Sequence, residues 1–588
     1  MRFSCQSAFR TISLVWASVV LCVFGASTLL AAEPTPVITI EGVSEAQEAN
    51  IRAYLSLDRL GCTLTETQSR LAQRRAHNEV HDALRALGHY QPEIDLQWRT
   101  EETCWSLHLH IQPGPPVRIR SLRETVQITG AGVQEAPFRE LLANLPMRTG
   151  DVLRHDQYEA LKSAMTRIAN TRGYFDARFI EQSLRVDRQA LTADIVLHFD
   201  TGARYQFGEI ELQQDSLRPE LAGKFIPFKP GDAYDSRDLI ALQQGLLDSG
   251  YFDTVRVNAD PQSAENRVIP VVVEFTPRPR WVYLAGVGAS TDTGPRLRLG
   301  LENRRANRAG HRYETDLELS PVRSSLGLNY EIPMDDPRRE RINLSARFKT
   351  EDTDTSKSDL WQFGAAHVRE YPSGWIKTQA LSFEREDFTI GGLTRRTDLL
   401  MPVLGLQRTR SDHPVFPSRG WRVNTSVRGA SEEVVSSVSF LQWQGRAKVI
   451  EPLGPGRVIA RLDSGTTWVD EFSELPGSVR FFAGGDTSVR GYAYQSLGPS
   501  NKDGRIIGGR HLLAGSLEYE YPLVKDFSAA VFVDGGNAFE RLDEFDARYG
   551  VGAGIRWRSP IGPIRIDIAH PTDSTDHFRL HLSMGADL

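Results

Sequence analysis

The chain has 588 residues, 69 basic and 75 acidic side chains, and a formal net charge of −6. That length exceeds the ~250–300 residues one core serves, so several domains are expected. Beyond residue 32 no segment offers the ~20 consecutive apolar residues of a spanning helix, and the mean hydropathy of −0.35 excludes a membrane bundle of helices. An apolar content of 40% excludes disorder, and the acidic balance gives no support to nucleic-acid binding. Glycine is unevenly spread: residues 1–278 hold 15 of the 48, and residues 279–588 hold 33. Two halves of different construction are expected.

At the N-terminus, Arg2 and Arg10 precede an apolar run, Thr11 to Leu30, that ends Ala31-Ala32-Glu33. This reads as a secretory signal peptide over residues 1–32, with an uncleaved anchor as the alternative. Its removal takes two arginines and leaves a charge of −8. It also removes Cys5 and Cys22, leaving Cys62 and Cys104. Two cysteines in an exported chain are expected to form one disulfide, the alternative being two buried thiols.

Three segments then repeat. Leu87-Gly88-His89-Tyr90, Arg172-Gly173-Tyr174-Phe175-Asp176 and Ser249-Gly250-Tyr251-Phe252-Asp253 each close a helical pattern and open a strand. Tyr158, Leu161, Met165 and Ile168 recur at helix spacing before the second glycine, and Leu239, Leu242, Leu246 and Leu247 before the third. A glycine at that point is a helix C-cap, where the left-handed conformation costs it little. Units of ~80 residues follow, each one strand, two helices and two strands on one small core. Their boundaries are placed at 33–116, 117–202 and 203–278. These units resemble POTRA domains, the periplasmic modules of the Omp85 superfamily, and the helix–Gly-Tyr-Phe–strand junction carries the resemblance.

After Pro279 the pattern turns to period two. Tyr313, Thr315, Leu317 and Leu319 alternate with Glu314, Asp316 and Glu318, and Val551, Ala553, Ile555 and Trp557 alternate with Gly552, Gly554, Arg556 and Arg558. Leu580, Leu582 and Met584 close the chain against Arg579, His581 and Ser583. Alternation sustained for about 300 residues behind an export signal reads as a transmembrane antiparallel β-barrel over 279–588. Trp281, Trp375, Trp421, Trp443 and Tyr521 sit near strand ends as an aromatic girdle would. Sixteen strands fit the length. The fold class is therefore α+β repeats, three of them, followed by a sixteen-stranded barrel.

Three motifs within the barrel resemble the Omp85 superfamily. Val489-Arg490-Gly491-Tyr492 matches the motif of its long sixth loop. Phe532-Val533-Asp534-Gly535-Gly536 matches its Phe-x-Asp-x-Gly strand, and Gly562-Pro563-Ile564-Arg565-Ile566-Asp567 a late strand with luminal Arg565 and Asp567. With Val531 and Val533 facing lipid, Asp534 points into the lumen. Arg490 is expected to fold inward and fork onto Asp534, with Phe532 beside it. The glycines at 484, 485, 491, 535 and 536 are expected to let loop and wall approach closely.

No enzyme, cofactor or metal is expected. His77 and His81 stand four apart on a helical pattern but lack a third ligand, and residues 484–491 lack the lysine of a phosphate loop. Three POTRA units before the barrel resemble the TamA-type branch. That resemblance implies a TamB-like inner-membrane-anchored partner, unfolded outer-membrane protein substrates of the autotransporter class, and contact with outer-membrane lipids. The lateral seam between first and last strands is expected to involve Trp281, Leu284, Leu582 and Gly585, with residues 284 and 582 close enough to be cross-linked. A two-partner secretion transporter and a lipid-transfer or passive conduit are the alternatives.

Overall fold

A computed structural model describes residues 35–57, 60–100, 103–122, 124–559, 562–573 and 578–585. The expected signal peptide lies outside them. The chain divides into two compact units: residues up to Tyr205 with 233–236, and the remainder.

The first unit opens on β1 (Val37–Glu41), α1 (Glu45–Tyr54), α2 (Glu66–Ala86), β2 (Glu93–Thr100) and β3 (Trp105–Gln112). Ser44 and Thr65 begin the helices as reciprocal capping boxes with Gln47 and Gln68, which is why the chain turns helical there. The sheet order is β1-β3-β2, with β1 parallel and β2 antiparallel to β3. Ile51, Val80 and Leu84 from the helices pack on Leu107, Leu109 and Ile111 from β3. Cys62 and Cys104 are joined by a disulfide that ties the loop before α2 to the start of β3.

The second module has β4 (Arg118–Ser121), β5 (Val126–Thr129), α3 (Ala136–Ala143), α4 (His155–Thr171), β6 (Arg178–Asp187) and β7 (Thr192–Asp200). β4 and β5 pair in parallel with successive parts of β7, and β6 pairs antiparallel with it. The edge strand is thus split in two, a departure from the single first strand the repeat implies. Gly88 and Gly173 follow their helices at φ +90° and +78°, the left-handed region that admits glycine cheaply. Tyr90, after the first of them, buries in the core of the second module and meets His155 at 2.6 Å.

The second unit begins with β8 (Gln206–Gln213), α5 (Pro219–Gly223), α6 (Ser236–Asp248), β9 (Phe252–Asn258) and β10 (Val268–Pro277), with the helix–Gly–aromatic junction repeated between α6 and β9. The order β8-β10-β9 reproduces the strand arrangement of the first module. Tyr251 packs under the Arg312 guanidinium, 4.4 Å from ring centroid to carbon, and donates to the Gly310 carbonyl, so the junction aromatic seats this module on the barrel.

Sixteen strands form one sheet in sequence order. They are β11 (Trp281–Ser290), β12 (Gly294–Asn303), β13 (Arg312–Leu319), β14 (Arg323–Pro333), β15 (Glu340–Asp352), β16 (Ser356–Glu370), β17 (Ile376–Ile390) and β18 (Leu393–Ser411). There follow β19 (Gly420–Ala430), β20 (Phe440–Leu453), β21 (Gly456–Val469), β22 (His511–Val524), β23 (Phe527–Phe539), β24 (Arg548–Ser559), β25 (Gly562–Pro571) and β26 (Arg579–Met584). The count of sixteen agrees with the length argument. The wall is inside-out relative to a soluble sandwich. Leu517, Val531, Val533, Ile555, Ile566 and Leu580 are exposed, whereas Glu518, Asp534, Arg556, Asp567 and His581 are buried. Strand pleating alone puts these sets on opposite faces. No helix among the described residues is long and apolar enough to cross a membrane.

Replacing Cys62 and Cys104 with serine releases a cross-link spanning 42 positions, worth ~4 kcal/mol in the chain-entropy model. Hydrogen exchange of the β3 amides Leu107–Ile111 is expected to accelerate by up to about three orders of magnitude, while the barrel amides stay unchanged.

Candidate functional site

The chain between β21 and β22, residues 470–510, turns into the barrel instead of standing away from it. It folds on itself through isolated bridges, Phe481 to Gly509 and Ala483 to Leu497. Val489 is fully buried in a cluster with Ala483, Leu497 and Ala514. That apolar anchor delivers the next residue, Arg490, to the luminal wall.

Arg490 uses all five of its guanidinium N–H donors. Nε and Nη2 fork onto the two Asp534 oxygens at 2.7 and 2.9 Å. Nη1 reaches Glu518 at 2.8 Å and Asp567 at 3.0 Å, and Nη2 also reaches Ser516 Oγ at 3.3 Å. The backbone N–H of Arg490 donates to Asp534 Oδ2 at 3.0 Å. The guanidinium carbon lies 3.3 Å from the Phe532 ring centroid. Asp534 is wholly buried and Arg490 is 7% exposed. Burial opposes the Arg490 charge, but the hydrogen bond and charge of Asp534, with Glu518 and Asp567 behind, outweigh it and hold the guanidinium above its ordinary pKa.

Arg556 completes the cluster from β24, donating to Glu518 at 2.7 and 3.0 Å and to Asp567 at 2.5 Å. Two guanidinia thus share three carboxylates in a site largely closed to solvent. The arrangement holds a loop against a wall.

Ladder register assembles this set. Ser516 stands opposite Asp534, and Glu518 opposite Phe532, while Gly554 stands opposite Asp567. Period two places Glu518 and Arg556 on the luminal face, but only register brings them to Arg490, so a reading of the sequence alone misses their role. Close approach is needed at two glycines. A Cβ on Gly550 would sit 1.8 Å from the Arg490 carbonyl oxygen. Gly491 adopts φ +99° and a Cβ there would come within 3.1 Å of the Pro571 nitrogen. A Cβ on Gly535 or Gly536 would meet Tyr549 or Ala514 of the neighbouring strands first, so the space these two glycines leave is used within the wall. Tyr492 donates its hydroxyl to Asp573. Arg565 lies opposite Arg556 in the ladder, lines a luminal cavity, and reaches the Gly585 carbonyl at 3.3 Å.

At the sheet's two ends, β11 and β26 are neighbours without a β-ladder between them among the described residues. β26 has six residues against ten in β25. The Leu582 N–H donates to Thr291 Oγ1 at 3.3 Å, in the turn after β11. Leu284 lies seven residues earlier, ~23 Å along the strand. Leu284 and Leu582 are therefore not opposite one another, which corrects the expected cross-link. Trp281 packs edge-on against Tyr313 at 5.9 Å, and Gly585 donates to the Pro563 carbonyl at 3.2 Å.

The model of the Omp85 superfamily domain matches residues 291–587. This chain belongs to the Omp85 superfamily. A TamA-type first POTRA model matches 37–113, and the POTRA model described as a surface antigen variable number repeat matches 124–202 and 205–278. The outer membrane protein assembly factor BamA of Neisseria meningitidis is 22% identical over 556 residues, covering 82% of this chain and 67% of that protein. The chloroplastic outer envelope protein 80 of Arabidopsis thaliana is 22% identical, covering 65% of this chain and 58% of that protein. The crystal structure of Haemophilus ducreyi BamA lacking POTRA domains 1–3 shares the fold, with a TM-score of 0.68 at 16% identity, covering 80% of this chain and 99% of that one. The Omp85 protein is thus an outer-membrane barrel with its POTRA domains in the periplasm.

Lysine at 490 has three donors and no planar fork, so it leaves acceptors of Asp534, Glu518 or Asp567 unpaired. Arg490→Lys and Arg490→Ala are both expected to destabilise the loop–wall contact, the alanine by ~3–5 kcal/mol. The heat-modifiability transition of the folded barrel on gels should fall in both, and a cycle with Asp534→Ala should show strong coupling.

Proposed function

We propose that this Omp85 protein helps insert or secrete outer-membrane proteins through the seam between β11 and β26, and that its POTRA domains dock a periplasm-spanning, TamB-like partner. One observation carries this reading. β11 pairs with β12 along all ten residues, while its other edge meets a strand of six and forms no ladder among the described residues. Backbone groups facing a bilayer must find partners within protein. An open edge there is a template for an incoming strand, bound by main-chain hydrogen bonds. The substrates that such an edge takes are unfolded outer-membrane proteins, of which the autotransporter class is the proposed cargo.

The BamA relative is an outer membrane protein assembly factor, which supports the same direction. The TamA-type match of the first module supports the branch and hence the TamB-like partner. A passive conduit is disfavoured by the loop, which folds into the lumen and is fastened to the wall through Arg490.

A cysteine pair at Thr291 and Leu582 tests the seam, since the Leu582 nitrogen lies 3.3 Å from Thr291 Oγ1. The oxidised double variant is expected to lose substrate insertion in a reconstituted assay and to regain it on reduction. Full insertion by the oxidised protein would overturn the seam reading.

A further inference from the structure

The long loop has a second fastening, four residues before Arg490, that lies at the outer end of the seam. Asp486 donates its backbone N–H to Asp292 Oδ2 at 2.8 Å, in the turn joining β11 to β12. Its Oδ1 accepts from Thr291 Oγ1 at 2.7 Å and faces His581 Nδ1, on β26, at 2.6 Å. The other ring nitrogen of His581, Nε2, accepts the Gly491 N–H at 2.9 Å. One loop thereby grips the first hairpin and the last strand together, where no ladder joins them among the described residues.

The hydrogen-bond network assigns the proton positions. Nε2 of His581 accepts, so it carries no proton, and the neutral ring must carry its proton on Nδ1, directed at Asp486. With both ring nitrogens engaged, a cation ligand at Nδ1 would need an imidazolate. The trio Asp292, Asp486 and His581 has the compactness of a metal site, but its hydrogen bonding does not leave the histidine free for one.

An acceptor is left over. Asp486 Oδ2 is buried and accepts no hydrogen bond from the described residues, in a side chain only 4% exposed. A buried carboxylate oxygen without a donor is costly. The group within reach that can supply one is the Asp292 carboxyl, which has an oxygen within 4.8 Å of an Asp486 carboxylate oxygen and accepts the Asp486 N–H at 2.8 Å. No arginine or lysine pairs with Asp292 among the described residues. Facing it are Asp486 and Gly485 from the loop, His581 from β26, and Tyr494, which itself sits between Arg323 and Glu351.

We propose that Asp292 and Asp486 share one proton and, with Thr291 and His581, form a clasp that closes the outer end of the seam and opens when the proton is lost. The inference rests on the reading of the seam as the working edge. The direction of the titration agrees with it. Burial first, and then the Asp486 charge, push Asp292 up to about 6. A raised folded-state value means that protonation stabilises the closed clasp, fully below the ordinary carboxyl value. That stabilisation is lost as pH rises through about 6. Between pH 5.0 and 7.5 the closed-to-open ratio is expected to fall about ten-fold.

Spin labels at Val287→Cys on β11 and Leu580→Cys on β26, both exposed to lipid, report the seam width by pulsed dipolar spectroscopy in nanodiscs. The full chain is used with Cys5 and Cys22 replaced by serine, Cys62 and Cys104 being bonded to each other. The long-distance population is expected to rise from pH 5.0 to 7.5. Asp292→Asn supplies a permanent donor to Asp486 Oδ2 and an acceptor for the Asp486 N–H, so it should hold the short distance at every pH. Asp292→Ala should hold the long one. A wild-type distance that ignores pH, or an Asp292→Asn variant that keeps the wild-type profile, would overturn the clasp. So would closure at pH 7.5 by added Zn²⁺ that depends on His581. None of these outcomes depends on substrate insertion, so the clasp can fail while the seam reading stands.

Discussion

The bilayer offers no hydrogen-bond partners to a peptide group, and the whole architecture follows from how this chain meets that constraint. Fifteen of the interstrand contacts are antiparallel ladders in sequence order. The sixteenth, which would close the sheet, is not made as a ladder among the described residues. A polar loop segment does part of that work at the outer end, through Thr291, Asp486 and His581. Side-chain and loop groups meet β26 there because β11 ends at Ser290, just short of the Thr291 hydroxyl that Leu582 reaches.

Such a loop has to be held in place by something stronger than solvent-exposed contacts. The Arg490 cluster supplies it. All five donors are satisfied, Glu518 and Asp567 are themselves shared with Arg556, and Phe532 covers the guanidinium. Burial makes each of these charges expensive alone and tolerable together. The luminal position of the cluster also explains the negative mean hydropathy. Alternate residues face lipid, and their neighbours carry the charge.

The division into helix-bearing modules and a strand-built barrel is legible in the sequence because periodicity and glycine spacing are local properties. Gly88, Gly173 and Gly250 mark helix ends by a backbone requirement that one residue type meets cheaply. The face occupied by Asp534 is likewise legible, since parity with Val531 and Val533 decides it. Register is not local. Glu518, Ser516 and Arg556 read as luminal side chains among many, and nothing in their spacing tells which height of the wall they share with Arg490. The pairing of Leu582 with Thr291 instead of Leu284 has the same origin: the stagger of a barrel accumulates around all sixteen strands. The split of the second module's edge strand into β4 and β5 was hidden for a related reason, because four-residue segments are too short to show a period.

The two fastenings of the loop differ in strength, and the order matters for how the barrel can work. The Arg490 site is a closed set of charge-assisted bonds, the kind whose disruption costs ~3–5 kcal/mol. The clasp rests on a few hydrogen bonds, worth ~0.5–1.5 kcal/mol each. Under load the clasp yields first. The seam can then separate at its outer end while Arg490 keeps the loop seated on β22–β25, and the loop remains positioned to re-engage His581 when the strands return. A loop held only at the seam would be lost on opening, and one held only at the wall would have no influence on the seam. Only three residues separate Asp486 from Arg490, which keeps both fastenings within one short stretch of chain and lets the wall serve as the fixed point against which the seam moves.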